Sequence, residues 1–314
     1  MKWLRRLGTA AVVLVAVGAV AYWYYVADGS VPATSAYKTD AAGWRQLVAG
    51  DTAQLPTEVR VEFVGRDTMP FMAVQGGGAN VDFARVRAAF QLSGPAGSVV
   101  IDSAMDRDTA RQAQRGDKQS FDDQAYARVI STMGSASVVA VTHEHMDHIG
   151  GVMRFPLPGR LAERLVFTKQ QFEGFAIVSS KEHLPPEYAA MTHLDLTAPT
   201  RIAPGVVMIP APGHTPGSAM FFVKQADGHE FLFLGDIAWA MSNVREAAMR
   251  PRFVEQFFMS PPEDRSAVAE QIRALHDLSV AEPALTMIPA HDDVYLQELV
   301  AKGLLKPDFF VDGP

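Results

Sequence analysis

The chain has 314 residues, 48% of them apolar and 20% charged, enough to bury a sizeable core and too apolar for global disorder. Lys and Arg number 28 against 35 Asp and Glu, and Lys2, Arg5 and Arg6 lie in a 27-residue start without acids. The remainder carries 25 against 35, a charge of −10, which lacks the footprint of a nucleic-acid binder, so no nucleic-acid partner is expected. No cysteine is present. Disulfides, iron–sulfur clusters, thiolate metal sites and cysteine nucleophiles are excluded together.

Leu7 to Ala27 is uncharged and ends at Asp28. Such a run spans about 31 Å at helical rise, close to the hydrocarbon thickness of a bilayer. Trp3 stands at one end and Tyr22, Trp23, Tyr24 and Tyr25 at the other, where interfacial aromatics belong. The basic flank stays cytoplasmic, so residues 1–27 are expected to anchor a bacterial envelope protein in the inner membrane, its body in the periplasm. A cleaved signal peptide competes, because Ala19-Val20-Ala21 fits a small-x-small site and would leave a secreted or periplasmic chain. A buried core helix is the third reading. The apolar run continues past the cleavage site into bulky aromatics, which favours the anchor.

Residues 28–56 read as a linker or N-terminal extension with a short helix near Ala41–Val48, and 57–314 as one domain. Val59–Val64 alternates apolar and polar residues, as a half-buried strand does. Gly76-Gly77-Gly78 marks a turn but lacks the spacing of a dinucleotide loop. Val99–Ile101 predicts a buried strand running into Asp102. A helix is expected over Phe121–Met133, closed by Gly134, and a strand over Val138–Val141. Further strands are predicted at 164–168, 206–209, 220–223 and 231–234, and a last long helix at Pro262–Leu278. Strands alternating with helices, with hairpins mixed in, indicate a layered α/β domain.

Chemistry concentrates where the strand at Val138 ends. Thr142-His143-Glu144-His145-Met146-Asp147-His148 crowds imidazoles and carboxylates into a few positions, costly without a cation to share. It is not the helical zinc-protease motif, since Asp147 stands where HExxH needs a histidine. Three further donors sit in matching contexts. His214 lies in Pro212-Gly-His-Thr-Pro-Gly-Ser218 after one strand, Asp236 ends Phe231-Leu-Phe-Leu-Gly-Asp236, and His291 ends Thr286-Met-Ile-Pro-Ala-His291. Each is an apolar run delivering a metal-type ligand at its C-terminal end, so one convergent site is expected. His183, His193, His229 and His276 read as surface or capping residues.

The set HxHxDH, then PGHTPGS, then GD, then a final histidine resembles the metallo-β-lactamase superfamily, over roughly residues 59–295. The resemblance implies a four-layer αββα sandwich with two divalent metal ions, zinc above all, with manganese or iron as alternatives. It implies His143, His145 and His214 as ligands of one metal, Asp147, His148 and His291 as ligands of the other, and Asp236 as the bridge. Asp147 also becomes a candidate catalytic residue, placed to move a proton. The pattern is closer to glyoxalase-II-like and lactonase-like hydrolases than to true β-lactamases. The implied reaction is hydrolysis of a small-molecule ester, most naturally a lactone, by water activated between the metals. An envelope β-lactamase or amidase, an iron oxidoreductase and a tethered binding module are the competing readings.

Substrate selection is expected downstream of Asp236. Trp239, Met241 and Phe257, interleaved with Arg245, Arg250 and Arg252, are candidates for an apolar acyl pocket with an arginine reaching a carbonyl or carboxylate. Packing for the last long helix is the competing reading of the same residues. Met153, Phe155 and Leu157 form a second candidate wall.

Overall fold

The computed structural model describes residues 2–112, 119–179, 182–259 and 261–311. Twelve strands are found among these residues: β1 Glu58–Pro70, β2 Asp82–Gly94, β3 Gly97–Ile101, β4 Ser120–Phe121, β5 Val138–Ala140, β6 Leu165–Val166, β7 Thr200–Ala203, β8 Val206–Pro210, β9 Ala219–Lys224, β10 Glu230–Gly235, β11 Thr286–Pro289 and β12 Lys306–Pro307. They make two sheets. One runs β12-β1-β2-β3-β5-β6 with β4 paired to β1, and the other runs β11-β10-β9-β8-β7.

Period-two alternation sorts each strand between two cores. In β10, Phe231 and Phe233 point between the sheets, where they meet Phe90, Val206 and Phe221. Leu232 and Leu234 point the other way, onto Ile272 and Leu275 of the helix Arg265–Ala281. The outer face of the first sheet is covered by the helices Asp123–Ser135 and Met146–Met153 through Val129, Met133, Ile149 and Val152. Helix, sheet, sheet, helix: the four-layer αββα sandwich is the observed architecture. Fully burying one such phenylalanine or leucine contributes about 1.5–3 kcal/mol.

Several boundaries move, for local reasons. The helix expected from Phe121 starts at Asp123, because Asp122 accepts the N–H groups of Gln124 and Ala125 as its cap, and Phe121 pairs with Gly65 as a strand. Gly134 stays inside that helix, which ends when Ala136 turns extended. Asp264 caps the last long helix through the Ala267 N–H, so it runs Arg265–Ala281 rather than from Pro262. Strand β2 was hidden from the sequence by its Asp82, Arg85 and Arg87, yet pairs with β1 from Asp82 to Ser93. Residues 28–56 carry the expected short helix at Ala41–Leu47, and Trp44, 1% exposed, packs it onto Phe222 of the second sheet.

The helix Lys2–Tyr22 projects from the sandwich, its described side chains exposed, which excludes the core-helix reading. Arg6–Ala27 has a mean hydropathy of 1.9 and is long and apolar enough to cross a membrane.

Candidate metal centre

The parallel pairs β3/β5 and β10/β11 bring four strand ends from two sheets to one edge of the sandwich. From β5 the chain passes His143 and turns into the helix Met146–Met153, with His145 at its N-cap and Asp147 and His148 in its first turn. His214 follows β8 in its Gly/Pro turn, His291 follows β11, and Asp236 follows Gly235. Gly235 has φ 53°, and a Cβ there would lie 2.9 Å from Thr142 Cβ. Only glycine lets this strand end close against the His143 loop.

The seven side chains meet as two trios joined by one carboxylate. His145 Nδ1 lies 3.1 Å from His143 Nε2 and 3.0 Å from His214 Nε2. Asp236 Oδ2 faces that trio, 3.3 Å from His214 Nε2 and 3.9 Å from His143 Nε2. Asp236 Oδ1 faces the other, 3.1 Å from both His148 Nε2 and His291 Nε2, and Asp147 Oδ2 is 3.7 Å from His291 Nε2. Within His143/His145/His214/Asp236, and again within Asp147/His148/His291, the donor atoms lie within 4.8 Å of one another and could hold a metal ion.

The arrangement fits cations. Bonds of about 2.05 Å set tetrahedrally separate ligand atoms by about 3.3 Å, near the spacings seen here. Three imidazole nitrogens at such distances cannot satisfy one another, because each neutral ring carries one N–H. His148 Nε2 and Asp236 Oδ1 are fully enclosed without the geometry of a hydrogen bond. A group that accepts lone pairs resolves both facts.

Neighbouring groups turn each ring toward the centre. His148 Nδ1 lies 2.9 Å from Asp102 Oδ2, His214 Nδ1 2.9 Å from Glu263 Oε2, and His291 Nδ1 2.8 Å from the Val86 carbonyl. Asp102 sits in the left-handed region at φ 62° and also accepts the Thr142 N–H at 2.7 Å. Glu144, 0% exposed, accepts from Thr215 Oγ1 and the Gly217 N–H and so ties the His143–His145 loop to the His214 turn. The Trp239 indole N–H donates to Asp236 Oδ2 at 2.9 Å.

Electrostatics follow. Burial drives His143 well below its usual range and His145 down to about 4, leaving both neutral at pH 7. Burial opposes ionisation of Asp147, but His148 and His291 outweigh it and hold the carboxyl near 2. Asp236 is lowered likewise, burial being overcome by His291 and His148. For His148 burial is overcome by Asp102 and Asp236, which raise it. These carboxylates draw positive charge into the pocket, whether as protons or as metal ions.

The substrate-selecting residues fare differently. Trp239 stands beside the centre, its ring 6.0 Å from that of His291. Met241 has its side chain buried in the core with Val244 and Met249. Phe257 points outward, 71% exposed. Arg250 is fully buried, donating to the Asp236 carbonyl and pairing with Glu263, and so serves the ligands rather than a substrate. Arg252 pairs with Asp28, and Arg245 lies over Tyr295. Met153 and Phe155 pack in the first sheet's outer core and Leu157 is exposed, so they form no joint wall. His193, His229 and His276 bond to Tyr188 O, Thr286 Oγ1 and Val244 O, as structural residues do.

The sequence reading missed Asp102, Glu263 and the buried role of Glu144. Asp102 offered one signal, being another acid at the end of a buried strand. Glu263 offered none, because it reaches His214 from a separate loop.

An αββα sandwich with seven histidine and aspartate donors at one sheet edge defines a metal-site fold. The chain belongs to the metallo-beta-lactamase superfamily, whose sequence model matches residues 86–311. Among solved structures it is similar to a quorum-quenching N-acyl homoserine lactone lactonase, with a TM-score of 0.58 at 15% identity, covering 76% of this chain and 93% of that one. It is similar to a B. thuringiensis AiiA variant with N-decanoyl-L-homoserine bound at its active site (TM-score 0.59, 15% identity, 78% and 96% covered). A probable metal-dependent hydrolase from Staphylococcus aureus has a TM-score of 0.54 at 12% identity, covering 76% and 91%. No curated protein matches the chain.

Proposed function

We propose that the chain is a binuclear metal-dependent hydrolase that opens a small ester, most naturally a lactone. The observation that carries this is the division of Asp236, one oxygen toward each trio. In this reading His143, His145 and His214 hold the first metal, Asp147, His148 and His291 the second, and Asp236 joins them. Nitrogen and oxygen donors without thiolate favour zinc, with manganese or iron as alternatives. Two divalent cations so held supply Lewis acidity and an activated water. The chain's own part is orientation: Asp102, Glu263 and the Val86 carbonyl fix which ring nitrogen faces inward. Asp147 is the least enclosed acid of the centre, its side chain 24% exposed, and moves a proton between the reacting centre and water. Lactonases among the similar folds make a cyclic ester the first substrate class to test. Residues 1–27 act as an inner-membrane anchor with the sandwich in the periplasm.

Acid release by the full chain in detergent, zinc-loaded or chelator-stripped, against lactones, aryl esters, thioesters and β-lactams tests the reaction. Zinc-dependent opening of lactones is expected. Turnover of β-lactams alone, or turnover that survives complete metal removal, overturns the proposal. Retention in the membrane fraction at full mass through a high-salt wash is expected of the anchor, and release as a shorter chain refutes it.

A further inference from the structure

The N-terminal helix does not meet the sandwich through a loose tether. Trp23–Ala27 forms a π-helical turn, and the Asp28 N–H donates to the Trp23 carbonyl at 2.8 Å. Gly77 donates to Val26 O at 3.2 Å and Gly76 to Met249 O at 2.8 Å. A Cβ on Gly76 would lie 2.5 Å from Gly29 N, so this approach needs glycine. Arg252, at the start of the helix Arg252–Phe258, pairs with Asp28, donates to the Tyr24 carbonyl at 3.2 Å and lies 4.3 Å from the Tyr24 ring centroid.

That joint sets a depth. Tyr22 to Tyr25 belong at the headgroup level of a spanned bilayer. The helix touching Tyr24 is about 10 Å long at helical rise, so its side chains lie within about that distance of the same level. It carries Phe257 and Phe258, 71% and 55% exposed. Behind them Phe71, Phe83 and Phe253 pack around Val254 and Trp239. Trp239 in turn bonds to Asp236. The exposed aromatics therefore continue, through Phe253 against Phe258, into the buried cluster that holds Trp239. Isolated exposed aromatics need no explanation, but a group at the anchor's depth does.

Building on residues 1–27 as a membrane span, we propose that this rim sits in the headgroup–acyl boundary of the bilayer. Amphipathic faces seat about 5–10 Å deep in that boundary, which matches the reach of this helix.

The chain has no cysteine, so single introduced cysteines report without background. Full-length Leu14→Cys, Phe257→Cys and Val280→Cys are labelled with an environment-sensitive fluorophore in vesicles of phosphatidylethanolamine and phosphatidylglycerol. Quenching by nitroxide lipids and by aqueous iodide is compared. The label at 257 is expected to be quenched by lipid and protected from iodide, like that at 14 and unlike that at 280. Iodide access at 257 with lipid quenching at 14 overturns the rim and leaves the anchor standing. Iodide access at 14 overturns both. Shielding from both quenchers at 257 means contact with a second copy and also overturns the rim.

Discussion

The two halves of the candidate metal centre are supported by different chemistry. Around His143, His145 and His214 the outer contacts are buried acids: Glu144 clamps the loop to the turn, and Glu263, paired with Arg250, holds His214. Around His148 and His291 they are one carboxylate, Asp102, and one backbone carbonyl, while Asp147 keeps its side chain 24% exposed. Two buried carboxylates orient the first trio, whereas one carboxylate and one backbone carbonyl orient the second.

Removing the acid within the second trio is the severest test of that division. Asp147→Ala should lower turnover by about 10²–10⁴ while one metal stays bound, read by metal content and steady-state rates. Two metals at full occupancy in the variant would refute the division into trios. Removing each half's support comes next. Glu263→Gln should weaken the first metal, and Asp102→Asn the second, by about 10–100-fold, measured by chelator competition. If both variants lose the same metal, the halves are not independent.

How much of this the sequence displayed depends on distance along the chain. The donors were legible because each closes an apolar strand, and because His143, His145, Asp147 and His148 crowd into one loop. The layers were legible where both faces of a strand are apolar, as in Phe231–Leu234. Strand β2 was not, because Arg85 and Arg87 sit at the site edge of an otherwise buried strand and pair with Asp67. Arg250 read as a substrate contact and Glu263 was not singled out, since nothing local shows that each is the other's partner in a sealed interior. Met241 misled for the converse reason: proximity to Asp236 in sequence put it beside the site, but the backbone turns its side chain into the core.

A smaller effect separates packing from positioning at the bridge. Trp239→Phe keeps the ring and removes the N–H that Asp236 Oδ2 accepts. A loss of a few-fold in first-metal affinity is expected from one hydrogen bond of about 1 kcal/mol. Wild-type affinity would mean that Trp239 acts by its apolar face alone.

The least effect is expected where the first trio's scaffold meets the N-terminal helix. Arg265 donates to the Arg250 carbonyl at 2.8 Å and to the Asp28 carbonyl at 3.1 Å, so the chain of contacts His214–Glu263–Arg250–Arg265 ends at the base of the N-terminal helix. Burial opposes ionisation of Asp28, but Ser30 and Arg252 hold its carboxyl down to about 2. A carboxyl lowered on folding stabilises fully above its unfolded value near 3.8, and that contribution fades as the pH falls toward 2. Asp28→Asn should therefore cost about 1 kcal/mol at pH 7 and progressively less below pH 4, measured by thermal unfolding in detergent. First-metal affinity should change less than in Glu263→Gln, because contacts in series through backbone carbonyls pass on only part of a displacement. An equal loss of metal in the two variants would show that the base of the N-terminal helix and the first trio move as one body.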